Sequence, residues 1–123
     1  MPEPDQIRAA VRRYLDAVAT GTAADIAALY DENATLEDPV GTPAHTGRAA
    51  IEKFYGNLET SRRSTELLSV RVSGDSAAFG FRVVTDTGDR TITVEPIDVM
   101  TFDEQARITS MRAFWSAEDI SFG

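Results

Sequence analysis

The chain contains no cysteine. That excludes disulfides, thiolate nucleophiles and cysteine-ligated metals, and it leaves the redox compartment open. There is a single histidine, His45. It stands in a loop-like stretch beside Gly47 and reads as a surface residue, with no partners at metal-ligand spacing, so no metal site is expected. Positive charge is scarce: Lys and Arg number 12 against 20 Asp and Glu, a net charge of −8. Such a surface argues against nucleic acid and against anionic membrane as partners. No apolar run approaches the length of a membrane span. The opening Met1-Pro2-Glu3-Pro4-Asp5 is acidic and lacks an apolar stretch, so no signal peptide and a cytoplasmic location are expected. Phosphate loops and dinucleotide fingerprints are missing as well. Gly74-Asp75-Ser76 reads as a turn, not a nucleophile elbow.

What is present suits an ordinary globular chain. At 123 residues, residues 1–123 are expected to form one domain, and 42% hydrophobic residues suffice for a core. Asp5 is a plausible N-cap for a first helix whose inward stripe is Ile7, Ala10, Val11, Tyr14, Leu15 and Val18. Gly21 ends it, and Thr22-x-x-Asp25 resembles a capping box opening a short second helix with Ile26, Leu29 and Tyr30 inward. Residues 33–38 read as a strand, with Ala34, Leu36 and Asp38 on one face, broken by Pro39 and Gly41. A third helix opens at Gly47-Arg48 and carries Ile51, Phe54, Tyr55 and Leu58 on one side. It ends before Arg62-Arg63, a pair that reads as solvated.

From about Ser64 the hydrophobic period changes to two. Leu68, Val70 and Val72 alternate with polar residues, and Ser73-Gly74-Asp75 makes a hairpin turn. Ala77, Phe79, Phe81 and Val83 face one way on the next strand, opposite Arg82. A strand follows over residues 91–102, and a last one over 108–115 puts Met111, Ala113 and Trp115 opposite Ser110 and Arg112. This order predicts an α+β fold, with a curved antiparallel sheet packed on three N-terminal helices and a pocket between the layers. The sheet is expected to comprise a four-strand meander and a short early strand.

The 91–102 strand is the informative one. Its even face is Ile92, Val94, Pro96, Asp98, Met100 and Phe102, apolar but for one acid. An unpaired ionised carboxylate cannot be buried at tolerable cost. Asp98 is therefore paired, protonated or bordering a cavity, unless a bulge at Pro96 turns it to solvent. The chain's three tyrosines, Tyr14, Tyr30 and Tyr55, each fall in an inward helical stripe facing that sheet. One such tyrosine is commonly a packed ring with a wet hydroxyl. Three together suggest a shared network with a protonated acid, since buried hydroxyls need partners. Asp38 is either an Asp-Pro turn residue or a carboxylate at the pocket mouth, ionised and able to act as a base.

The segments Ala34-Thr35-Leu36-Glu37-Asp38-Pro39-Val40-Gly41, Phe54-Tyr55 and Pro96-Ile97-Asp98-Val99-Met100 together resemble the bacterial 3-oxo-Δ5-steroid isomerases, or ketosteroid isomerases. Arg13-Tyr14 and Ser110-Met111-Arg112-Ala113-Phe114-Trp115 fit the same pattern, so the resemblance spans nearly the whole chain. It implies the cone fold of the nuclear transport factor-like superfamily, which also holds binding modules and other enzymes. It implies Asp38 as general base, Tyr14 and a protonated Asp98 as oxyanion-hole donors, and Tyr30 and Tyr55 as the tyrosines bonded to that hole. It further implies a steroid-binding wall of Val40, Phe54, Phe81, Met100, Met111 and Trp115. A small steroid-like enone substrate, no cofactor and a homodimer go with it. The segment between Tyr55 and Asp98, and the tail, are slightly short for the pattern, which bears on the pocket rim.

Two other readings compete. A polyketide cyclase could use Asp38 as a base, and an epoxide hydrolase on the same cone wants an arginine between two aspartates inside the pocket. Arg82 and Arg112 fall on the opposite face from the apolar residues, against the hydrolase. A non-catalytic module for hydrophobic ligands would explain an apolar pocket but not two acids in opposed environments.

Overall fold

The computed structural model describes residues 1–58 and 60–123. Helix α1, Pro4–Thr20, buries the expected stripe from Ile7 to Val18. Its cap is Glu3 and not Asp5: Pro4 takes the first helical position, where no N–H is needed, and the Glu3 N–H donates to the Gln6 side chain at 2.8 Å. Gly21 stops the helix, and a Cβ there would stand 2.8 Å from the Ala17 carbonyl oxygen, too close for any other residue. The Thr22/Asp25 capping box opens helix α2, Ala23–Ala27, through two reciprocal hydrogen bonds of 2.9 and 3.1 Å.

Strand β1, Tyr30–Glu37, begins earlier than its sequence suggests, so Tyr30 is a strand residue and not a helical one. Strand β2 is the pair His45–Thr46, followed by helix α3, Arg48–Tyr55, and a single 3₁₀ turn, Gly56–Leu58. The sheet continues through β3, Arg62–Ser73; β4, Ser76–Asp86; β5, Thr91–Val94; β6, Ile97–Phe102; and β7, Ile108–Phe114. After a 3₁₀ turn at Ala117–Asp119, a short β8, Ile120–Phe122, lies beyond the strand expected to be the last.

Among the described residues these strands form one curved sheet, in the order β2-β1-β7-β6-β4-β5-β8, with β3 also paired to β4. It is mixed and not wholly antiparallel, because β1 runs parallel to β7. The expected 91–102 strand is one path along β4 with a break at Glu95-Pro96: β6 pairs with the first half of β4 and β5 with the second. Proline supplies no ladder donor, so the break falls there. The even-numbered face survives it: Pro96, Asp98, Met100 and Phe102 are all buried. In β3 the register shifts between Leu67 and Ser69, so Leu67 turns inward and Leu68 is thrown out to 45% exposure.

The helices lie against the concave face, where Ile7, Val11, Ile26, Leu36, Ile51 and Ile108 are essentially inaccessible. The Thr65 hydroxyl ties β3 to α1 through the Leu15 carbonyl at 3.0 Å. No helix among the described residues is long and apolar enough to cross a membrane.

Candidate active site

A cavity of about 320 Å³ opens between the helices and the sheet. Its buried end is formed by Tyr14 and Tyr55 from the helices and Asp98 from β6, each no more than 3% exposed. Asp38, just past β1, and Trp115, just past β7, stand at its side, and Phe54, Phe81 and Ala113 add apolar wall. Val18, Asn57, Leu58, Val83, Thr85, Val94 and Pro96 complete the lining.

The three tyrosines do form a network. The Tyr30 and Tyr55 hydroxyls are 2.7 Å apart and those of Tyr55 and Tyr14 2.9 Å apart, all buried. Its protons can be ordered. Tyr30 is wholly inaccessible, and among the described residues its hydroxyl bonds only to that of Tyr55, so a buried donor is left over unless Tyr30 donates. Tyr55 then donates to Tyr14. The O–H of Tyr14 remains as the free donor, facing the cavity. Burial pushes all three phenols well above their ordinary range, with repulsion from neighbouring phenolate and carboxylate charge adding to it.

Asp98 does not share in that network. Both of its carboxyl oxygens are buried with no hydrogen-bond partner among the described residues. Burial, and then the charge of Asp38, push its pKa well above 3.8. An ionised group so placed would lack both solvent and counter-charge, so its surroundings favour the protonated form of Asp98. Asp38 is half-buried. Burial raises its pKa from 3.8, against the opposing pull of the Trp115 indole, whose N–H donates to Asp38 Oδ1 at 2.6 Å, and of His45. The two acids are thus unlike: one neutral in an apolar wall, the other anchored at the edge of water.

These directions fix a pH dependence. Between 3.8 and the raised pKa of Asp98, the folded chain holds a proton that the unfolded chain has released. Stability therefore falls as pH rises through that window, by up to about 1.4 kcal/mol per pH unit for one group, and levels off above the folded pKa. Asn cannot ionise, so Asp98→Asn is expected to flatten most of this slope. The remainder comes from Asp38, which has the same sign. Urea unfolding across pH on both proteins checks it; an unchanged slope in the variant would mean that Asp98 is not the group responsible.

Other placements differ from expectation. Met100 and Met111 face each other across β6 and β7 in the closed core and do not line the cavity. Val40 lies in the loop after Asp38, bridged to Thr42, also outside the lining. His45 is no free surface residue: it is half-buried, and its ring packs on Phe54 at 5.0 Å between centroids. The expected binding wall also lacked Val18, Asn57, Leu58, Val83, Thr85, Val94, Pro96 and Ala113, all of which line the cavity. For Val83 and Thr85 the signal was available, since they continue the period-two face of Phe79 and Phe81. Among the described residues no arginine lines the cavity: Arg82 pairs with Glu66 and Glu95, and Arg112 with Glu37, all on the outer face. The hydrolase arrangement is absent from the described residues.

A model of the SnoaL-like domain matches residues 11–111. The chain belongs to the SnoaL-like family. Among curated proteins, a Nocardioides simplex protein named steroid Delta-isomerase is 62% identical over 115 residues, 94% of either chain. That name is the one the segments 34–41, 54–55 and 96–100 resemble. Among solved structures, the epoxide hydrolase/cyclase-like enzyme SalBIII, described for pyran ring formation in the polyether salinomycin, superposes over the full length of both chains with a TM-score of 0.91 at 28% identity. RV0760c of Mycobacterium tuberculosis does so with a TM-score of 0.88 at 19% identity, which speaks for the fold alone.

Proposed function

We propose that this SnoaL-like chain is a cofactor-independent steroid Δ-isomerase that moves a β,γ double bond into conjugation with a 3-oxo group. Asp38 is the general base. It takes a proton from the carbon between the ketone and the alkene, and negative charge moves onto the carbonyl oxygen. Tyr14 and protonated Asp98 donate to that oxygen where the charge develops. Protonated Asp38 then returns the proton to the far end of the dienolate. One proton leaves and one arrives, so the step balances on the carboxylate alone. Tyr30 and Tyr55 hold the Tyr14 oxygen and orient its free proton outward.

The observation that carries this reading is the placement of two buried hydrogen-bonding groups, Tyr14 and Asp98, in one cavity with a second, less buried carboxylate, Asp38. A cyclase needs no such donor pair, and a binding module needs no base. The relative 62% identical to this chain supports the same activity. As an isomerase of lipid metabolism, the protein would act in the cytoplasm as a single domain. A homodimer fits too, because Ile97 and Phe114 pair across β6 and β7 on the outer face at 53% and 42% exposure.

Conjugation of an enone creates a strong ultraviolet absorbance. Adding 5-androstene-3,17-dione to the protein is expected to generate that band catalytically. Binding with no gain in absorbance over the spontaneous rate would reduce the protein to a ligand carrier and sink the isomerase reading.

A further inference from the structure

Arg63 is the part of the molecule that the catalytic reading does not use. It is half-buried, and its guanidinium is spent on main-chain carbonyls. Its Nε donates to the Val18 carbonyl at 2.6 Å and Nη2 to that of Gly21 at 3.0 Å. Its Nη1 serves the carbonyls of Leu58 and, at 3.3 Å, Ser61. Directly across the ladder its partner is Thr85. Val18, Leu58 and Thr85 all line the cavity. One side chain thus fastens three walls together: the end of α1, the 3₁₀ turn after α3, and the β3–β4 ladder.

Val18 is buried, and the exposure at these walls rises toward the turn after α3 and the far end of β4, which is where we place the opening. Tyr14 and Asp98 mark the closed end, while Asn57 is exposed and Leu58 and Thr85 are half-buried. Val18 lies one turn beyond Tyr14 on α1, about 6 Å along the axis. Thr85 lies six residues beyond Phe79, the cross-strand partner of Asp98, about 20 Å along β4. The chemistry explains why arginine stands here. The last carbonyls of a helix have no intrahelical partners, and α1 has no basic residue of its own in its last turn. The guanidinium spreads five donors over a planar fork and reaches carbonyls on separate elements, where an ammonium offers three from a single nitrogen.

We propose that Arg63 is a positioning residue that fixes the aperture of the open end, and thereby sets how much bulk a ligand can carry at the end away from Tyr14 and Asp98. The inference rests on the isomerase reading for its probes but not for its geometry. Suitable probes are 5-androstene-3,17-dione, compact at its far end, and 5-pregnene-3,20-dione, which carries an acetyl group there. The variants are Arg63→Met, which keeps the stem and deletes every donor, and Arg63→Lys, which keeps charge without the fork. Arg62→Met, at the exposed neighbouring residue, is the control.

In Arg63→Met the ratio of kcat/KM for the bulkier ketone to that for the compact one is expected to rise by about fivefold or more, through KM. The kcat for the compact ketone should stay within about twofold, because Tyr14, Asp38 and Asp98 are untouched. Arg63→Lys should fall between wild type and Met, and Arg62→Met should match wild type. A merely structural role would lower the thermal midpoint and depress both substrates in parallel; that result, or an unchanged ratio in both Arg63 variants, overturns the proposal. Should Arg63→Met not fold, the ratio in Arg63→Lys decides alone. Trp115, the chain's one tryptophan, sits in the cavity wall, so its fluorescence reports binding of either ketone without turnover. If wild type converts neither ketone, the isomerase reading fails, and the same ratio measured in dissociation constants still tests Arg63. If neither ketone binds, both readings fall.

Discussion

Asp38→Asn is expected to reduce kcat for enone formation by on the order of 10³–10⁴-fold while leaving ligand affinity nearly intact. The carboxylate is asked to work twice, taking the proton from one carbon and returning it to another, and Asn can do neither. The apolar wall of Phe54, Phe81 and Trp115 is untouched, and the ground-state ligand presses on Asn much as on Asp, so the loss sits in the transition state. Trp115 should keep its place, because an amide oxygen still accepts its indole N–H. The pH profile is a second check. Burial raises the Asp38 pKa, so wild-type kcat/KM should fall as pH drops through a value above 3.8, while the residual rate of Asp38→Asn should lack that limb. A variant retaining a tenth of wild-type turnover would remove Asp38 from the mechanism.

Of the candidate positions, Asp98 was the most legible from the residues alone, because it contradicts its surroundings; the roles of Asp38 and Tyr14 came with the resemblance. Asp98 is one acid on an apolar period-two face, and that pattern survived the break at Pro96 because a strand resumed in phase after it. The three tyrosines declared themselves through helical stripes in two cases. In the third, Tyr30, the spacing from Ile26 and Leu29 is the same whether the chain goes on as a helix or turns into a strand. What decides it is the parallel pairing of Tyr30 with Ile108, with the Ile108 N–H donating to the Leu29 carbonyl. Partners so distant in sequence leave no local periodicity. Arg63 was misread for the same reason: the carbonyls of Val18 and Gly21 are 45 and 42 residues away, and a basic residue between a turn and a strand looks solvated until they arrive. Met100 and Met111 show a different limit. Alternation says which face of a strand is apolar, but one concave face serves as both closed core and cavity wall, and only the helices laid over it divide the two.

Tyr14→Phe is expected to lower kcat by on the order of 10²–10³-fold, the usual cost of losing one oxyanion donor. The ring stays, and with it the edge-to-face contacts with Tyr55 and Phe79 at 6.5 and 6.3 Å between centroids, so packing is preserved. What disappears is the only free proton of the tyrosine chain, together with the acceptor for Tyr55. Those two losses must be separated, because the second alone costs about 1 kcal/mol of stability and no catalysis. Tyr55→Phe separates them. It cuts the relay at its centre but leaves the Tyr14 hydroxyl, with Asp98 beside it, to face the substrate oxygen. Its effect on kcat should therefore be about tenfold or less, with a loss of stability at least equal to that of Tyr14→Phe, since the Tyr30 hydroxyl then loses its partner at 2.7 Å as well. Turnover and urea unfolding on the two variants give the answer. If both lower kcat equally, the relay and not the Tyr14 donor carries the effect. If Tyr14→Phe costs less than tenfold with the fold unchanged, Tyr14 is a packed core tyrosine, and Asp98 alone meets the developing charge.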